Sequence, residues 1–251
     1  MPVPIAETLV ATWLLSEAGL EPPLGRSSIF IEGWQRGVPF GDSADYVVRV
    51  RGRSLSLHRG PVAGTRATVG ADPLAASDGL TGAAIATGEM RHDIALPLAA
   101  LTRSAQICGA LEAALTLTIG FAEQRIQFGR ALSKFQAIQH LLSEMGAEVA
   151  AAGAALDAAI RTLQAGAPLD RQAVAVAKIR AGLAAGIVGE HAHQIHGAIG
   201  YTEEYALARL TRRLWQWRED FGGESYWANE LGRAALCDQT PLWPKLTAGS
   251  A

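Results

Sequence analysis

Apolar residues recur at helical spacing through the second half of the chain. Ile107, Leu111, Leu115, Ile119, Ala122 and Ile126 follow one another at steps of three or four, which predicts a long helix with one buried stripe. Leu142, Met145, Val149, Ala152, Leu156, Ile160 and Leu163 predict a second helix. Ser133 with Gln136 three residues later has the form of a capping box for it, and Gly166 and Pro168 mark its end. Asp170 is placed to cap a third helix reaching about His196. Two further helices, roughly 203–217 and 223–236, complete an up-down bundle with short links. Ahead of it, residues 4–18 read as a single helix, with Pro4 in its first turn and Gly19 at its end. Residues 22–94 are rich in Gly and Pro. Tyr46–Val50 and Leu55–Leu57 read there as short strands separated by a turn at Gly52, part of a small sheet. The expected fold is mainly α, divided into residues 1–25, a small β-domain at 26–94 and a C-terminal helical bundle at 95–251.

Composition narrows the function classes. Hydrophobic residues make up 49% of the 251, enough for a sizeable core, and the net charge of −2 argues against nucleic acid or an anionic membrane as partner. Two cysteines, Cys108 and Cys237, make neither a disulfide framework nor a metal pair, which points to the reducing cytoplasm. The apolar start from Val3 to Leu15 carries Glu7 and lacks a basic flank, so it reads as a helix and not as a leader. No uncharged run reaches transmembrane length, and membrane insertion is not expected.

Four segments carry candidate chemistry. In Arg125-Ile-Gln-Phe-Gly-Arg130 a guanidinium can hold a phosphate in two-point fashion and Phe128 offers a face to a flat ring. The same arginines would equally complement the negative end of the preceding helix. In Gln194-Ile-His-Gly-Ala-Ile-Gly-Tyr-Thr202 two glycines allow backbone N–H groups to approach a ligand, or simply end a helix. His191, His193 and His196 have poor spacing for a metal, and packing or surface roles are the default. The segment from Leu214 to Trp227 sets Glu219 and Asp220 among aromatic residues. A carboxylate there loses solvation and becomes a usable base near neutral pH, unless the acids form only a solvated turn.

Taken together and in order, Arg125-Ile-Gln-Phe-Gly-Arg130, Lys134-Phe-Gln-Ala-Ile-Gln-His-Leu-Leu-Ser-Glu-Met145, the Gln194 to Tyr205 stretch and Leu210-Thr-Arg212 resemble the C-terminal domain of acyl-CoA dehydrogenases. Residues 2–25 resemble a late piece of that family's N-terminal helical domain. The resemblance implies FAD as cofactor, gripped between subunits. Arg125, Gln127 and Phe128 would contact FAD held mainly by a neighbouring subunit, with Phe135 and Gln136 near its adenine half. Gln194, His196, Gly197 and Ala198 would lie along its pyrophosphate or adenine region. It also implies α,β-dehydrogenation of an acyl-CoA thioester, with electrons passed on to an electron-transferring flavoprotein.

The chain departs from the family in three ways. It is short, and most of the N-terminal helical domain has no counterpart. The Thr-Glu-Pro-x-Ala-Gly-Ser-Asp type of flavin-contacting stretch does not occur in residues 26–94. Where many members place a catalytic Glu before a glycine, counting from Arg212 reaches Phe221, with Asp220 and Glu219 as the stand-in bases and Glu224 as a further acid nearby. The short subunits of heteromeric, steroid-type acyl-CoA dehydrogenases are similar, which implies a second acyl-CoA dehydrogenase-like subunit in an α2β2 assembly and a bulky acyl group. The other readings are a homodimer, a non-catalytic subunit completing a partner's FAD site, and a helical dimer that has lost flavin.

Overall fold

The computed structural model describes residues 3–163 and 168–237. Helix α1 (Ile5–Glu17) follows Pro4, and beyond its cap at Ala18 the chain turns at Gly19, whose φ is +71°. Its inner face, from Ala6 to Leu15, is buried in a core shared with the sheet. Seven strands follow: β1 (Ser27–Ile31), β2 (Gly37–Pro39), β3 (Tyr46–Arg51), β4 (Ser54–Arg59), β5 (Arg66–Ala67), β6 (Pro73–Ala76) and β7 (Ala86–Glu89). One sheet has the order β1-β3-β4-β7, with β1 parallel to β3 and the other pairs antiparallel. Gly52, at φ +58°, turns β3 into β4, so that Val48 faces Leu57 and Val50 faces Leu55 across the ladder. The second sheet has the order β2-β6-β5.

The bundle comprises α2 (Ala95–Gln124), α3 (Gln136–Arg161), α4 (Arg171–His196), α5 (Ala206–Glu219) and α6 (Glu224–Cys237). Asp170 caps α4, its Oδ1 accepting from the backbone N–H of Gln172 (2.9 Å) and Ala173 (3.1 Å). Helices α2 and α4 run parallel as the central pair. Ala95–Leu101 share one core with Val174–Ala177, and Ile107–Ala122 share the next with Ala181–Ile195. Alanines on both helices let the backbones approach closely. By length and composition alone α2 and α4 could each cross a membrane, yet here they are the heart of a bundle and carry the buried Arg103 and Lys178.

Several expectations need correction. The capping box does not form: Ser133 lies in a 3₁₀ turn, residues 132–134, and its carbonyl accepts from Gln139 Nε2, while Phe135 precedes the first turn of α3 without a side-chain cap. Ile126 belongs to no helix, and Ile119 and Ile160 face outward, so the buried stripes are Ile107–Leu111–Ala114–Ala122 on α2 and Met145–Ala152–Ala159 on α3. In an alanine-rich bundle the small residues mark the inner face. Gly166, expected to help end the second helix, lies outside the described residues.

Candidate functional site at two ends of the bundle

The α2–α3 link is a hairpin of β8 (Ile126–Gln127) and β9 (Arg130–Ala131), and not a simple helix end. Phe128 and Gly129 form its two-residue turn, both with positive φ (51° and 78°), the geometry of a type I′ turn. Phe128 stands 92% exposed. Its ring meets Phe135 edge-on at 6.2 Å, and Arg130 stacks over Phe135 at 4.1 Å. Arg125 and Gln136 are also exposed, and Gln127 is half-buried.

The C-terminus of α4 reaches the same end of the bundle. Phe121, one turn before Arg125, stacks on His196 at 4.3 Å. Gln194, Gly197 and Ala198 are exposed there, and Gly197 takes φ +64°. His196 itself is buried. Its Nδ1 donates to the Ala192 carbonyl at 2.8 Å and its Nε2 has no protein partner among the described residues. His193 donates from Nε2 to Thr211 Oγ1 at 2.8 Å and stacks on Tyr201, while His191 pairs with Glu144 at 2.9 Å. Burial lowers the pKa of His193 and of His196. Among the described residues no cluster of three or more His, Cys, Asp or Glu is placed to hold a metal. The hairpin and the α4 terminus thus present a free aromatic face, flanking guanidinium groups and an amide side chain, a set suited to a nucleotide.

The acids lie at the opposite end. Asp220 caps α5, and its side chain opens on a cavity of about 680 Å³ between the small sheet and the bundle. Its Oδ2 sits 3.2 Å from Arg103 Nη2. The same nitrogen donates to Glu7 Oε1 of α1, also at 3.2 Å. The Glu7 and Arg103 side chains are 3% and 6% exposed. The guanidinium carbon lies 5.5 Å from the centre of the Trp217 ring and 5.4 Å from that of Phe221, and Gln106 Oε1 accepts from Nη1. Loss of solvation raises the pKa of Asp220, against the lowering pull of Arg103 and Lys178. Burial likewise raises Glu7. Glu219 is exposed on the cavity rim.

The turn after Asp220 is locked from within. Phe221 adopts φ +58°, unusual for a bulky residue, and its ring is buried against Arg103. Its carbonyl accepts from Nε1 of the fully buried Trp227 at 3.1 Å. Gly222 follows at φ +95°, where a Cβ would press on the rings of Tyr226 and Trp227. Lys178 of α4, 1% exposed, donates to the Arg218 carbonyl at 2.6 Å, and burial lowers its pKa to about 8. Glu224 reaches over Gly182 of α4, where a Cβ would lie 2.0 Å from its Oε1, to meet Arg218 Nε at 2.8 Å.

The sequence reading found Asp220 and Phe221 but missed Arg103 and Lys178, and used Glu7 only to argue against a leader. The available signal was a charge inside a largely apolar helical run: Glu7 and Arg103 each stand alone in theirs, while Lys178 is followed two residues later by Arg180.

Fold and sites together define a helical-bundle domain with a nucleotide-suited end and a buried-acid end, carried beside a small β-domain. Residues 94–218 match the family model described as "Acyl-CoA dehydrogenase, C-terminal domain", and the chain belongs to the acyl-CoA dehydrogenase family. It is 29% identical over 221 residues to acyl-CoA dehydrogenase IpdE2 of Mycolicibacterium smegmatis, covering 85% of this chain and 67% of that one. It is 36% identical over 108 residues to acryloyl-CoA reductase (NADH) of Anaerotignum propionicum, covering 43% of this chain. That match spans only 27% of the relative's length. The fold is similar to that in the ChsE4–ChsE5 complex from Mycobacterium tuberculosis, with TM-score 0.77 and 23% identity, covering 95% of this chain and 77% of that one.

Proposed function

We propose that this chain is one subunit of an FAD-dependent acyl-CoA dehydrogenase, that it shares each cofactor with a second acyl-CoA dehydrogenase-like subunit, and that Asp220 is its base. The carrying observation is the separation of the two ends. Arg103 and Arg125 lie 22 residues apart on α2 and its cap, roughly 33 Å at 1.5 Å per residue. That separation supports a hairpin that serves the nucleotide half of a cofactor whose flavin lies against another chain. The outer face of α1 supports a partner as well: Ile5 and Leu9 are exposed there beside the half-buried Trp13, an apolar patch interrupted by Thr12 and Ser16.

Arg125, Gln127, Phe128, Phe135, Gln136, Gln194, Gly197 and Ala198 would hold FAD, with His196 bracing them from beneath through Phe121. Bound FAD would supply the hydride acceptor. Asp220, in its dehydrated wall position, takes the α-proton of the thioester on its carboxylate. The cavity is roomy enough for a bulky acyl group. Reoxidation would fall to an electron-transferring flavoprotein, and the setting is the cytoplasm.

Phe221 favours one alternative. A buried ring at the family's base position suits a subunit that shapes the pocket while its partner supplies the base. Co-expression with a partner subunit decides between them. In the reconstituted, flavin-loaded complex, Asp220→Asn should lower turnover by about 10²–10⁴, the usual share of a general base. Unchanged turnover with FAD retained would establish the non-catalytic reading. A chain that purified alone with stoichiometric FAD and oxidised an acyl-CoA would refute the shared cofactor.

A further inference from the structure

One guanidinium nitrogen serves two carboxylates. Arg103 Nη2 lies 3.2 Å from Glu7 Oε1 and 3.2 Å from Asp220 Oδ2, and Arg103 Nε has no partner among the described residues. Glu7 comes from α1, Arg103 from α2 and Asp220 from the end of α5, so the group is assembled only by the tertiary fold. All three border the 680 Å³ cavity, but only Asp220 is appreciably open to it.

This arrangement poses a chemical problem that Glu7 resolves. A carboxylate paired one-to-one with a buried guanidinium is held ionised and is a weak base. We propose that Glu7 is a positioning residue for Asp220: by engaging the same Arg103 nitrogen, it keeps that cation from neutralising Asp220 fully and so preserves the basicity of the carboxylate that faces the cavity. The inference rests on the reading of Asp220 as base.

The other charges around Asp220 leave this role to Glu7. Asp72 of the small β-domain is committed to Arg213, through Nε at 3.3 Å and Nη2 at 3.2 Å. Lys178 donates to the Arg218 carbonyl and gives up its proton only near pH 8. Glu224 is taken by Arg218, Glu219 is exposed on the cavity rim, and Arg36 and Arg66 on the cavity wall form no ion pair among the described residues. Glu7 is the acid that meets Arg103 alongside Asp220.

Both consequences of removing the Glu7 charge have one sign. The neutral amide can still accept from Arg103 Nη2, but it neither repels the Asp220 carboxylate nor competes with it as an anion for the guanidinium, so Asp220 becomes more acidic. Infrared difference titration of the full chain reads this directly, with Asp220→Asn assigning the band. In Glu7→Gln, an isosteric change, the Asp220 midpoint should fall by about one pH unit, the low end of what a guanidinium at contact does. In Arg103→Gln it should rise. The opposite shifts give an independent check should either variant prove unstable. An unmoved or raised midpoint in Glu7→Gln overturns the inference. In the reconstituted complex the acidic limb of kcat/KM should move the same way, a change that a merely structural role for Glu7 would not produce. If Asp220→Asn leaves turnover intact while the midpoint shifts are seen, the base assignment fails and the coupling stands. If Asp220→Asn abolishes turnover while the Glu7→Gln midpoint is unmoved, only the coupling fails.

Discussion

At the hairpin end of the α2–α4 pair, the groups that could bind are exposed and cheap to change: Phe128, Arg125 and Gln194 stand clear of the core. At the acid end the groups are Glu7, Arg103 and Lys178, all buried, each held by a partner from another element. The first kind of end can be altered without unfolding the protein, because few contacts depend on it. The second cannot, because an ionisable group deprived of its partner is left charged in a dry place. Binding and chemistry are thus assigned to regions with opposite tolerance to mutation.

The contrast can be broken by experiment. The largest stability effect is expected at Trp227, which fills the core beneath the acid turn and ties down the Phe221 carbonyl. Trp227→Ala should cost about 3–5 kcal/mol in denaturant unfolding. A loss below about 1 kcal/mol would mean that the turn is not held from inside.

Lys178 comes next. Its folded pKa, about 8, lies below the ordinary 10.5, so above pH 8 the unfolded chain binds the proton more tightly than the folded one. Below pH 8 both states carry the proton and the burial penalty is fully present. Stability should therefore climb as pH rises from 8 towards 10.5, by on the order of 3 kcal/mol at most. Lys178→Met should flatten that rise, as measured by chemical denaturation at the two ends of the window. A wild-type profile already flat there would contradict the depressed pKa.

The smallest stability effect belongs to the hairpin. Phe128→Ala should change stability by no more than about 0.5 kcal/mol, as surface substitutions do. It should nonetheless strip flavin absorbance from the purified complex. Retained flavin would remove Phe128 from the cofactor site.

Much of this architecture was legible in the chain. The helices fell within a few residues of their observed ends because apolar spacing and caps such as Asp170 are local signals. The bundle's inner face was less legible. Ile119 and Ile160 look like core residues, but the helices meet largely through alanines such as Ala114, Ala152 and Ala184, and these two side chains are left outside. The strands β1, β2, β5, β6 and β7 went unseen because short strands depend on partners far along the chain. The acid end was hidden for the same reason. Glu7 and Arg103 are 96 residues apart, and no periodicity connects them. Phe221 was found by counting from Arg212, but its buried orientation follows from the left-handed turn, which a bulky residue does not announce.

The Phe128–Gly129 turn has a kinetic consequence. A two-residue loop closed by a short ladder has little room to wander, so the backbone that carries the aromatic ring is fixed before any ligand arrives. Association then loses little loop entropy. Holding a phenylalanine in the left-handed region costs about 1–2 kcal/mol, and that cost is met during folding, ahead of any encounter. A nucleotide docking there would meet a stiff, ready-made edge, and its release would be governed by how quickly its own contacts break, with no loop that must first open.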